Sequence, residues 1–355
     1  MAIIQQSVSS ERRAPVSVIV VNWNRRDLLR ACLASLEGQT VSGFEVVLVD
    51  NGSTDGSVAM AEREFGAGRR FELKLVRNER NLGFCAGNNQ GIRASGAPLV
   101  AVLNNDAEAG ARWIESLLGV FDDTSVGMAA SKIVVWEDPG RIDKAGHLIY
   151  PDGQNRGRGS GQRDRGQFDS IEEVLWPDGC AAMYRRAMLD EIGGFDEDLF
   201  AYGDDAELGM RARIAGWRCL YVPEAVVRHH RGATFGLGSA RRIELIERNR
   251  VLLAAKLFPW SLLWLNGAYY LARITAGVLA SIRQRGEARR FVGLKGRATL
   301  ALAMIRGDLA ALRLLPRFLG KRKELRRIRK LSSRQIKALV MRHRISLKEL
   351  SEEAI

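Results

Sequence analysis

Short apolar runs alternate with amphipathic segments between residues 15 and 130. Four of the runs are almost continuously apolar and rich in β-branched residues, which is typical of strands buried on both faces: 16–21, 44–49, 73–76 and 98–103. Apolar positions with helical spacing lie between them and predict helices at 25–37, 57–65 and 86–94. This βαβα order predicts an α/β fold, with a mostly parallel sheet flanked by helices.

The pattern becomes less regular after the fourth run. Strand-like runs dominate 127–150, and a second α/β stretch covers 176–230. Between them, a segment rich in Gly and Arg at 153–167 predicts a flexible surface loop in preference to a lid that grips phosphate.

Basic residues are concentrated in the last third of the chain. Residues 241–355 contain 27 Lys and Arg against 8 Asp and Glu, whereas residues 1–240 contain 27 against 33. Such asymmetry indicates a polyanionic partner, either nucleic acid or the anionic surface of a membrane.

One charge-free segment in this basic region, 257–272, is rich in Trp, Tyr and Leu. A helix of that length would reach about 24 Å, short of the roughly 30 Å hydrocarbon core of a bilayer. Trp and Tyr settle at the headgroup level of membranes, so the segment suits an interfacial helix, with a buried helix docked on the first domain as the alternative. The basic amphipathic stretch at 291–319 and the basic run at 321–330 favour attachment to an anionic membrane surface.

The length of 355 residues allows two domains. We expect an N-terminal tail at 1–14, a catalytic domain at 15–240 and a helical, basic, membrane-associating region at 241–355. Four cysteines stand far apart without a CxxC pair, which argues against a zinc ribbon or a disulfide scaffold. The N-terminal residues lack the pattern of a secretory signal, so a cytoplasmic protein, peripheral on the inner face of the cell membrane, is expected.

Polar clusters follow three of the predicted strands. They are Asn22-Trp23-Asn24, the run at 50–53 that begins with Asp50, and Asn104-Asn105-Asp106. In a parallel sheet these three strand ends share one edge, where α/β proteins bind ligands. The sequence lacks GxGxxG after the first strand and lacks a P-loop, which weighs against a dinucleotide oxidoreductase and a P-loop nucleotidase.

Six motifs occur in a recognisable order, in the sequence VSVIVVNWNRRDLL, VVLVDNGSTDGS, NLGFCAGNNQGI, VLNNDAE, GGFDEDLFAYGDDAELGMRAR and AVVRHHRG. Together they resemble the family 2 inverting glycosyltransferases of the GT-A fold, nearest the bacterial rhamnosyltransferase-like members. The resemblance covers about residues 15–235. It implies a Rossmann-like GT-A sheet and a nucleotide-sugar donor, with dTDP- or UDP-sugars as the candidates.

The resemblance also implies the roles of the donor-side residues. Asp50 would accept a hydrogen bond from the imide N3–H of a uracil or thymine base. The remaining residues expected to line the nucleotide-sugar pocket are Asn22, Trp23, Asn24, Asn81, Gly83, Asn88 and Asn105.

Asp106 falls where the metal-binding DxD motif of the family ends, although the first aspartate is replaced by Asn104. The family histidine corresponds to His229, which would complete the protein ligands of a divalent ion. A carboxylate, an imidazole and phosphate oxygens suit Mg²⁺ or Mn²⁺ and do not suit structural Zn²⁺. Without the family context, Asp106 could be a turn residue and His229 a core histidine. Neighbours on a strand point to opposite faces, so only one of His229 and His230 can reach the ion.

The resemblance implies that Asp205 is the general base that deprotonates the acceptor hydroxyl, with Asp204 standing where the family usually has glutamate. An alternative comes from the spacing of Asp204 and Glu207, which is that of a capping box at the start of a helix. The acceptor-side candidates are Trp176, Asp178, Gly194, Phe195 and Asp204. From the residues alone, however, 193–196 is most simply a tight turn that packs Phe195, and a turn is also favoured over acceptor contact at 176–179.

These inferences predict an enzyme that moves a single sugar, rhamnose from dTDP-rhamnose being one candidate, onto a lipid-linked glycan during cell-surface polysaccharide assembly. A processive polysaccharide synthase is the alternative within the class, but QxxRW and several long apolar spans are missing from the sequence. From another class, a basic nucleic-acid-binding regulatory protein is possible. The aromatic segment within the basic region argues against it, so no nucleic-acid partner is expected.

Overall fold

The computed structural model describes residues 14–66, 70–232, 236, 238–283, 286, 291 and 293–352. The predicted tail at 1–14 therefore lies almost wholly outside the described residues. The strands are β1 (Val16–Asn22), β2 (Phe44–Asp50), β3 (Phe71–Arg77), β4 (Leu99–Leu103), β5 (Ala107–Ala109), β6 (Val126–Val135), β7 (Ile142–Lys144), β8 (His147–Ile149), β9 (Asn155–Gly157), β10 (Glu172–Glu173), β11 (Ala181–Arg185) and β12 (Arg218–His229).

The helices are α1 (Arg26–Glu37), α2 (Ser57–Phe65), α3 (Phe84–Ala94), α4 (Trp113–Leu118), α5 (Arg186–Ile192), α6 (Asp204–Ile214), α7 (Ala240–Leu257), α8 (Trp260–Ile282), α9 (Gly293–Ile328), α10 (Ser333–Arg342) and α11 (Leu347–Glu352). The four strands and three helices predicted before residue 104 are confirmed, each within two residues at either end.

The central sheet has the strand order β10-β12-β6-β11-β4-β1-β2-β3. β1 is parallel to both β2 and β4, β2 is parallel to β3, and β6 is parallel to β12. β11 runs antiparallel to both of its neighbours, so β4 and β6 have the same direction. The predicted mostly parallel α/β sheet is therefore confirmed, with one reversed long strand at its centre.

Two hydrophobic cores cover the two faces of this sheet. Alternation along β1 illustrates the division, because Val18 and Val20 enter one core while Ile19 enters the other. The first core receives the apolar faces of α1 and α2, and the second receives α3, α5 and α6. Burial on both faces explains why the strands read as continuous apolar runs.

The Gly/Arg-rich segment at 153–167 differs from the predicted flexible loop. Its residues Asn155–Gly157 form β9, which pairs antiparallel with β8. The backbone of Gly161 donates a hydrogen bond to Ile142 at the start of β7. The segment therefore supports β7 and β8, which carry residues of the site described below.

The basic C-terminal region is helical, as predicted, and its helices pack on the sheet. Leu253 and Phe258, at the end of α7, are buried in the same core as Trp176. The chain's division at residue 240 stays a prediction, since the core continues across it.

The charge-free segment forms most of α8, in which Leu262 is buried while the side chain of Trp264 is 85% exposed. Within the described residues, no helix combines the length and the apolar character needed to cross a membrane.

Candidate active site

The polar clusters after β1, β2 and β4 meet at one edge of the sheet, as the parallel topology requires. Asn22 donates a hydrogen bond to Asp50 Oδ1 at 3.1 Å and accepts one from Asn105 at 2.7 Å. The carboxylate of Asp50 also accepts a hydrogen bond from the backbone of Ser53 at 2.9 Å. The three strand ends are thereby fixed to one another by side chains.

A cavity of about 790 Å³ opens beside this edge. Of the residues predicted to line the nucleotide pocket, Trp23, Asn81, Gly83 and Asn105 lie on its wall. Gly83 has a φ of +90°, and a Cβ there would overlap the ring of Phe200, so the position requires glycine.

The other predicted pocket residues, Asn22, Asn24, Asp50 and Asn88, lie behind this wall. Asp50 is only 3% exposed, and Asn88 donates its amide to the carbonyl of Phe84. Their nucleotide contacts therefore stay predictions. Asn51, which the sequence reasoning passed over, lines the cavity and donates to the Gly83 carbonyl at 3.2 Å.

Asp106 and His229 face each other on the cavity wall. Antiparallel pairing of β5 with β12 sets His229 opposite Ala107 and brings its Nε2 to 3.5 Å from Asp106 Oδ1. His230 points away, as strand alternation predicts, and stacks on the ring of Trp136 at 4.4 Å.

The other ring nitrogen of His229 is held by a residue that the sequence did not indicate. Asp143 Oδ2 lies 2.9 Å from His229 Nδ1, and its second oxygen pairs with Arg231 Nε at 3.0 Å. Asp143 is fully buried. Burial by itself raises the pKa of this carboxyl, but the charges of Lys144 and Arg231 and the bond with His229 lower it to about 2. An ionised Asp143 accepts the Nδ1 hydrogen. Burial alone lowers the pKa of His229, but its contacts with Cys180, Asp106 and Asp143 raise it well above its usual value. Nε2 therefore also carries a hydrogen, directed toward Asp106, which a bound divalent ion would replace.

Asp106 and His229 fit a divalent ion. Two ligands that each lie about 2.1 Å from one ion are ~3–4 Å apart, as these two atoms are. One carboxylate and one imidazole leave several positions for phosphate oxygens and water, which is the arrangement that Mg²⁺ and Mn²⁺ favour.

A second titratable cluster lines the same cavity and adjoins the first, since Lys144 Nζ lies 3.9 Å from Asp143 Oδ2. Lys144 is at the end of β7, His147 is at the start of β8, the loop before β11 supplies Asp178, and α6 supplies Asp205. Asp178 Oδ2 lies 2.8 Å from both Lys144 Nζ and His147 Nε2. His147 Nε2 is also 3.4 Å from Asp205 Oδ2.

His147, Asp178 and Asp205 are close enough together to hold a metal ion. Lys144, however, already places a fixed positive charge against Asp178, where a cation would have to bind. Burial alone raises the pKa of Asp178, but the charge of Lys144 and the contact with His147 lower it well below its usual range. This cluster is therefore internally neutralised and suits proton transfer better than metal binding.

The carboxyls of Asp204 and Asp205, at the start of α6, have raised pKa values, in contrast to that of Asp178. Burial raises the pKa of Asp205, and the charge of Asp178 adds to the effect, while His147 and Lys144 reduce it. Burial and the charge of Asp205 raise the pKa of Asp204 well above its usual value. A carboxyl with a raised pKa is a stronger base once it is ionised, as a general base requires.

Asp204 and Asp205 do begin α6, as the helix-start alternative predicts, but the capping box itself is not formed. The N-cap of α6 is Gly203, in the left-handed conformation with φ of +72°, and no side chain caps it. Glu207 is fully buried and forms ion pairs with Arg211 and Lys256 at 2.7 Å each. It is thus committed to the core and cannot reach the helix end.

The acceptor-side candidates separate into two groups. Asp178 and Asp204 lie on the cavity wall. Trp176 is buried behind it, with His147 stacked on its ring at 5.8 Å. Gly194 and Phe195 lie in a buried turn outside the cavity, because the ring of Phe195 packs edge-on against Phe84 and Tyr184.

Lys144, His147 and Asp143 are the site residues that sequence reasoning missed. The only signal for His147 was scarcity, since the chain has four histidines. Its Nδ1 is buried with no hydrogen-bond partner among the described residues.

The chain matches known protein families and curated relatives. The family model described as Glycosyl transferase family 2 matches residues 17–193, and that of Glycosyl transferase family group 2 matches residues 158–310. The N-acetylglucosaminyl-diphospho-decaprenol L-rhamnosyltransferase of Mycobacterium tuberculosis is 26% identical over 267 residues, covering 67% of this chain and 83% of that protein. The uncharacterized protein y4gI of Sinorhizobium fredii is 28% identical over 237 residues, covering 62% of this chain. The match spans only 25% of the length of y4gI.

The fold has solved counterparts. The mannosyltransferase PcManGT of Pyrobaculum calidifontis, in complex with GDP-Man and Mn²⁺, superposes with a TM-score of 0.50 at 18% identity over 90% of this chain and 86% of its own. The two family models together run from residue 17 to 310, across both titratable clusters. The chain belongs to glycosyltransferase family 2, as a nucleotide-sugar-dependent glycosyltransferase of the GT-A fold.

Proposed function

We propose that this enzyme transfers one sugar, with inversion, from a dTDP- or UDP-sugar to a lipid-linked saccharide in the assembly of a cell-surface polysaccharide. The observation that carries the proposal is a single cavity that is lined by both the Asp106–His229 pair and Asp205. Rhamnose is our first candidate sugar, since the mycobacterial relative named above is a rhamnosyltransferase acting on a diphospholipid-linked sugar.

The donor would lie along the edge formed by β1, β2 and β4. Asn51, Asn81 and Asn105 present amide groups to the cavity, which suit hydrogen bonding to a base, a ribose or phosphate oxygens. Asp106 and His229 would hold a divalent ion against the diphosphate, where it neutralises the charge that builds up on the leaving group.

The acceptor hydroxyl would approach from the side of the Asp205 cluster. In our proposal its oxygen bonds to the anomeric carbon as the bond between that carbon and the nucleoside diphosphate breaks. Asp205 accepts the hydroxyl proton in the same step. Lys144 and His147 keep Asp178 ionised and fixed, so that the negative field of Asp178 keeps the pKa of Asp205 high.

Attachment to the inner face of the cell membrane would bring such an acceptor to the site. Exposed apolar side chains along α8 support this placement, among them Trp260, Trp264 and Leu271.

Incubation of the full chain with dTDP-rhamnose or UDP-sugars, Mn²⁺ and a GlcNAc-diphospho-prenol acceptor tests the proposal. Mass spectrometry should detect addition of one sugar, and NMR should show that its anomeric configuration is inverted. Addition of many sugars would support a processive synthase instead. Cleavage of every donor to free sugar, with no transfer to any lipid-linked saccharide, would refute the acceptor class.

A further inference from the structure

The cavity does not end at the Asp205 cluster. It continues between the C-terminal helices, where the wall includes the apolar side chains Ile246, Leu253, Ile274, Val278, Leu300 and Met304. Glu247, Arg250 and Arg273 also line this part, and their charges are paired with one another. We call this part the apolar arm. A site that only bound a nucleotide-sugar and a soluble sugar would need no hydrocarbon wall.

The arm exists because the C-terminal helices pair in two groups. α9 packs lengthwise on α7, and α11 packs on α8. A hydrogen bond of 2.7 Å from Tyr270 to Asp308 connects α8 to α9. On the α8 side of the arm lies Gly277, which leaves open space where a side chain would project.

Arginines line the cavity where the arm begins. Arg242, in the first turn of α7, lies over the ring of Tyr202, with its guanidinium carbon 5.7 Å from the ring centre. Tyr202 is two residues before Asp204, so Arg242 adjoins the catalytic cluster. Arg297 of α9 also lines the cavity and forms no ion pair with any described residue. The junction between the catalytic cluster and the arm therefore favours an anionic group.

The opposite end of the arm is open. Val278 and Ile282 line the cavity and are also 55% and 65% exposed. Val278 follows Leu271 and Trp264 at intervals of seven residues, so the three lie on one stripe of α8. A chain too long for the arm would emerge along this apolar stripe.

We propose that the apolar arm binds the hydrocarbon chain of a prenyl diphosphate-linked acceptor, with its diphosphate beside Arg242 and Arg297 and its sugar at Asp205. The inference rests on the proposed function and adds to it the location of the lipid. The Asp205 cluster, the two arginines and the apolar arm would then follow one another in the same order as the sugar, the diphosphate and the hydrocarbon chain of the acceptor. Because removal of apolar surface from water is favourable, even a partly enclosed hydrocarbon chain should raise the affinity well above that of the diphosphate alone.

Two glycines of α8 provide a matched test. Gly277→Leu should fill the arm, because a Cβ at Gly277 has no neighbouring atom within 4 Å. Gly267→Leu makes the same change on the same helix, also with no neighbouring atom within 4 Å, but outside the cavity. Leu is the better helix former, so both variants should fold, which thermal melting would verify.

Calorimetry on the full chain without divalent metal would compare farnesyl diphosphate, below its micellar concentration, with inorganic pyrophosphate. The parent protein and Gly267→Leu should bind farnesyl diphosphate at least tenfold more tightly than pyrophosphate. Gly277→Leu should lose most of that preference while its pyrophosphate affinity stays the same.

Three outcomes separate this inference from the proposed function. Equal affinity of the parent for the two ligands would overturn the inference. A preference for farnesyl diphosphate that Gly277→Leu retains would also overturn it, because the chain then binds elsewhere, and a lipid-linked acceptor would still stand. A preference lost only in Gly277→Leu would support the arm even if no lipid-linked saccharide were glycosylated.

Discussion

Asp205→Asn separates catalysis from structure at the start of α6. Asp205 Oδ1 accepts a hydrogen bond from the backbone of Ala206 at 2.7 Å, and an amide oxygen can keep it. Oδ2 lies 3.4 Å from both Gly179 N and His147 Nε2. Contacts of that length contribute little, so we expect their loss to cost less than ~1 kcal/mol.

Stability should therefore be unchanged or slightly higher in this variant. Burial raises the pKa of Asp205 in the folded protein above its unfolded value, so the folded state binds the proton more tightly. At any pH above about 3.9, the unfolded value, the carboxylate then opposes folding, and an amide removes that penalty. The melting temperature should not fall by more than about 2–4 °C, which corresponds to ~1 kcal/mol.

The rate of transfer should fall by ~10²- to 10⁴-fold, because the amide cannot accept the acceptor proton. This loss equals about 2.7–5.5 kcal/mol in the activation barrier. Donor affinity in Mn²⁺ should not change, since Asp205 contacts His147 and Gly179 and does not belong to the Asp106–His229 pair. In the parent enzyme the rate should fall as the pH drops through the raised pKa of Asp205, above the range of an ordinary aspartate.

The assay is single-turnover transfer with donor and acceptor both saturating, alongside calorimetry of dTDP or UDP and thermal melting. Asp204→Asn is the matched control. Burial and the neighbouring charge raise the pKa of Asp204 well above its usual value, so neutralising it changes little and should cost less than about tenfold in rate. If Asp204→Asn transferred sugar slowly and Asp205→Asn at the parent rate, Asp204 would be the general base instead of Asp205. Normal rates in both would remove α6 from the mechanism and direct attention to His147 Nδ1.

Three further outcomes are expected. Asp106→Ala should abolish the Mn²⁺ dependence of dTDP or UDP binding in calorimetry while the melting curve stays cooperative; an unchanged dependence would exclude the Asp106–His229 site. Asp143→Asn should weaken Mn²⁺ binding by ~10- to 100-fold through His229, measured by Mn²⁺ electron paramagnetic resonance, without changing metal-free nucleotide affinity; equal Mn²⁺ affinity would show that His229 needs no such partner. Trp264→Ala should reduce cosedimentation with anionic vesicles roughly tenfold, and unreduced binding would show that α8 does not contact the membrane.

The donor edge could be predicted from the sequence because its signals are local. Asn22 and Asp50 stand directly after an apolar run and Asn105 stands two residues after one, and parallel pairing alone brings these strand ends together. The left-handed backbone at Asn24, with φ of +58°, is likewise a conformation that asparagine tolerates well. The local sequence pattern, together with the rule that parallel strands end at the same edge of a sheet, was sufficient to predict that these residues lie together.

The positions of Lys144 and His147 in the site could not be predicted in the same way. Lys144 and His147 reach the cavity because β7 pairs with β6 and β8 pairs with β9. β7, β8 and β9 are each only three residues long. Nothing in so short a run specifies its partner. The capping box expected at Asp204 is absent for a related reason. Glu207 forms a long-range ion pair with Lys256 of α7, so its carboxylate is not available to the backbone at the start of α6.

The two clusters that line the cavity contain the same residue types and differ in the cations beside their carboxylates. Asp178 Oδ2 has both Lys144 Nζ and His147 Nε2 at 2.8 Å, so its charge is balanced by a lysine that a metal ion would have to displace. Asp106 has His229 as its partner, and a divalent ion could take the place of the hydrogen on His229 Nε2. Lys144 also lies 3.9 Å from Asp143 Oδ2, so its charge acts on both clusters. In our proposal this lysine, which no sequence motif singles out, is therefore the residue that favours an ion at Asp106 and His229 over one at Asp178.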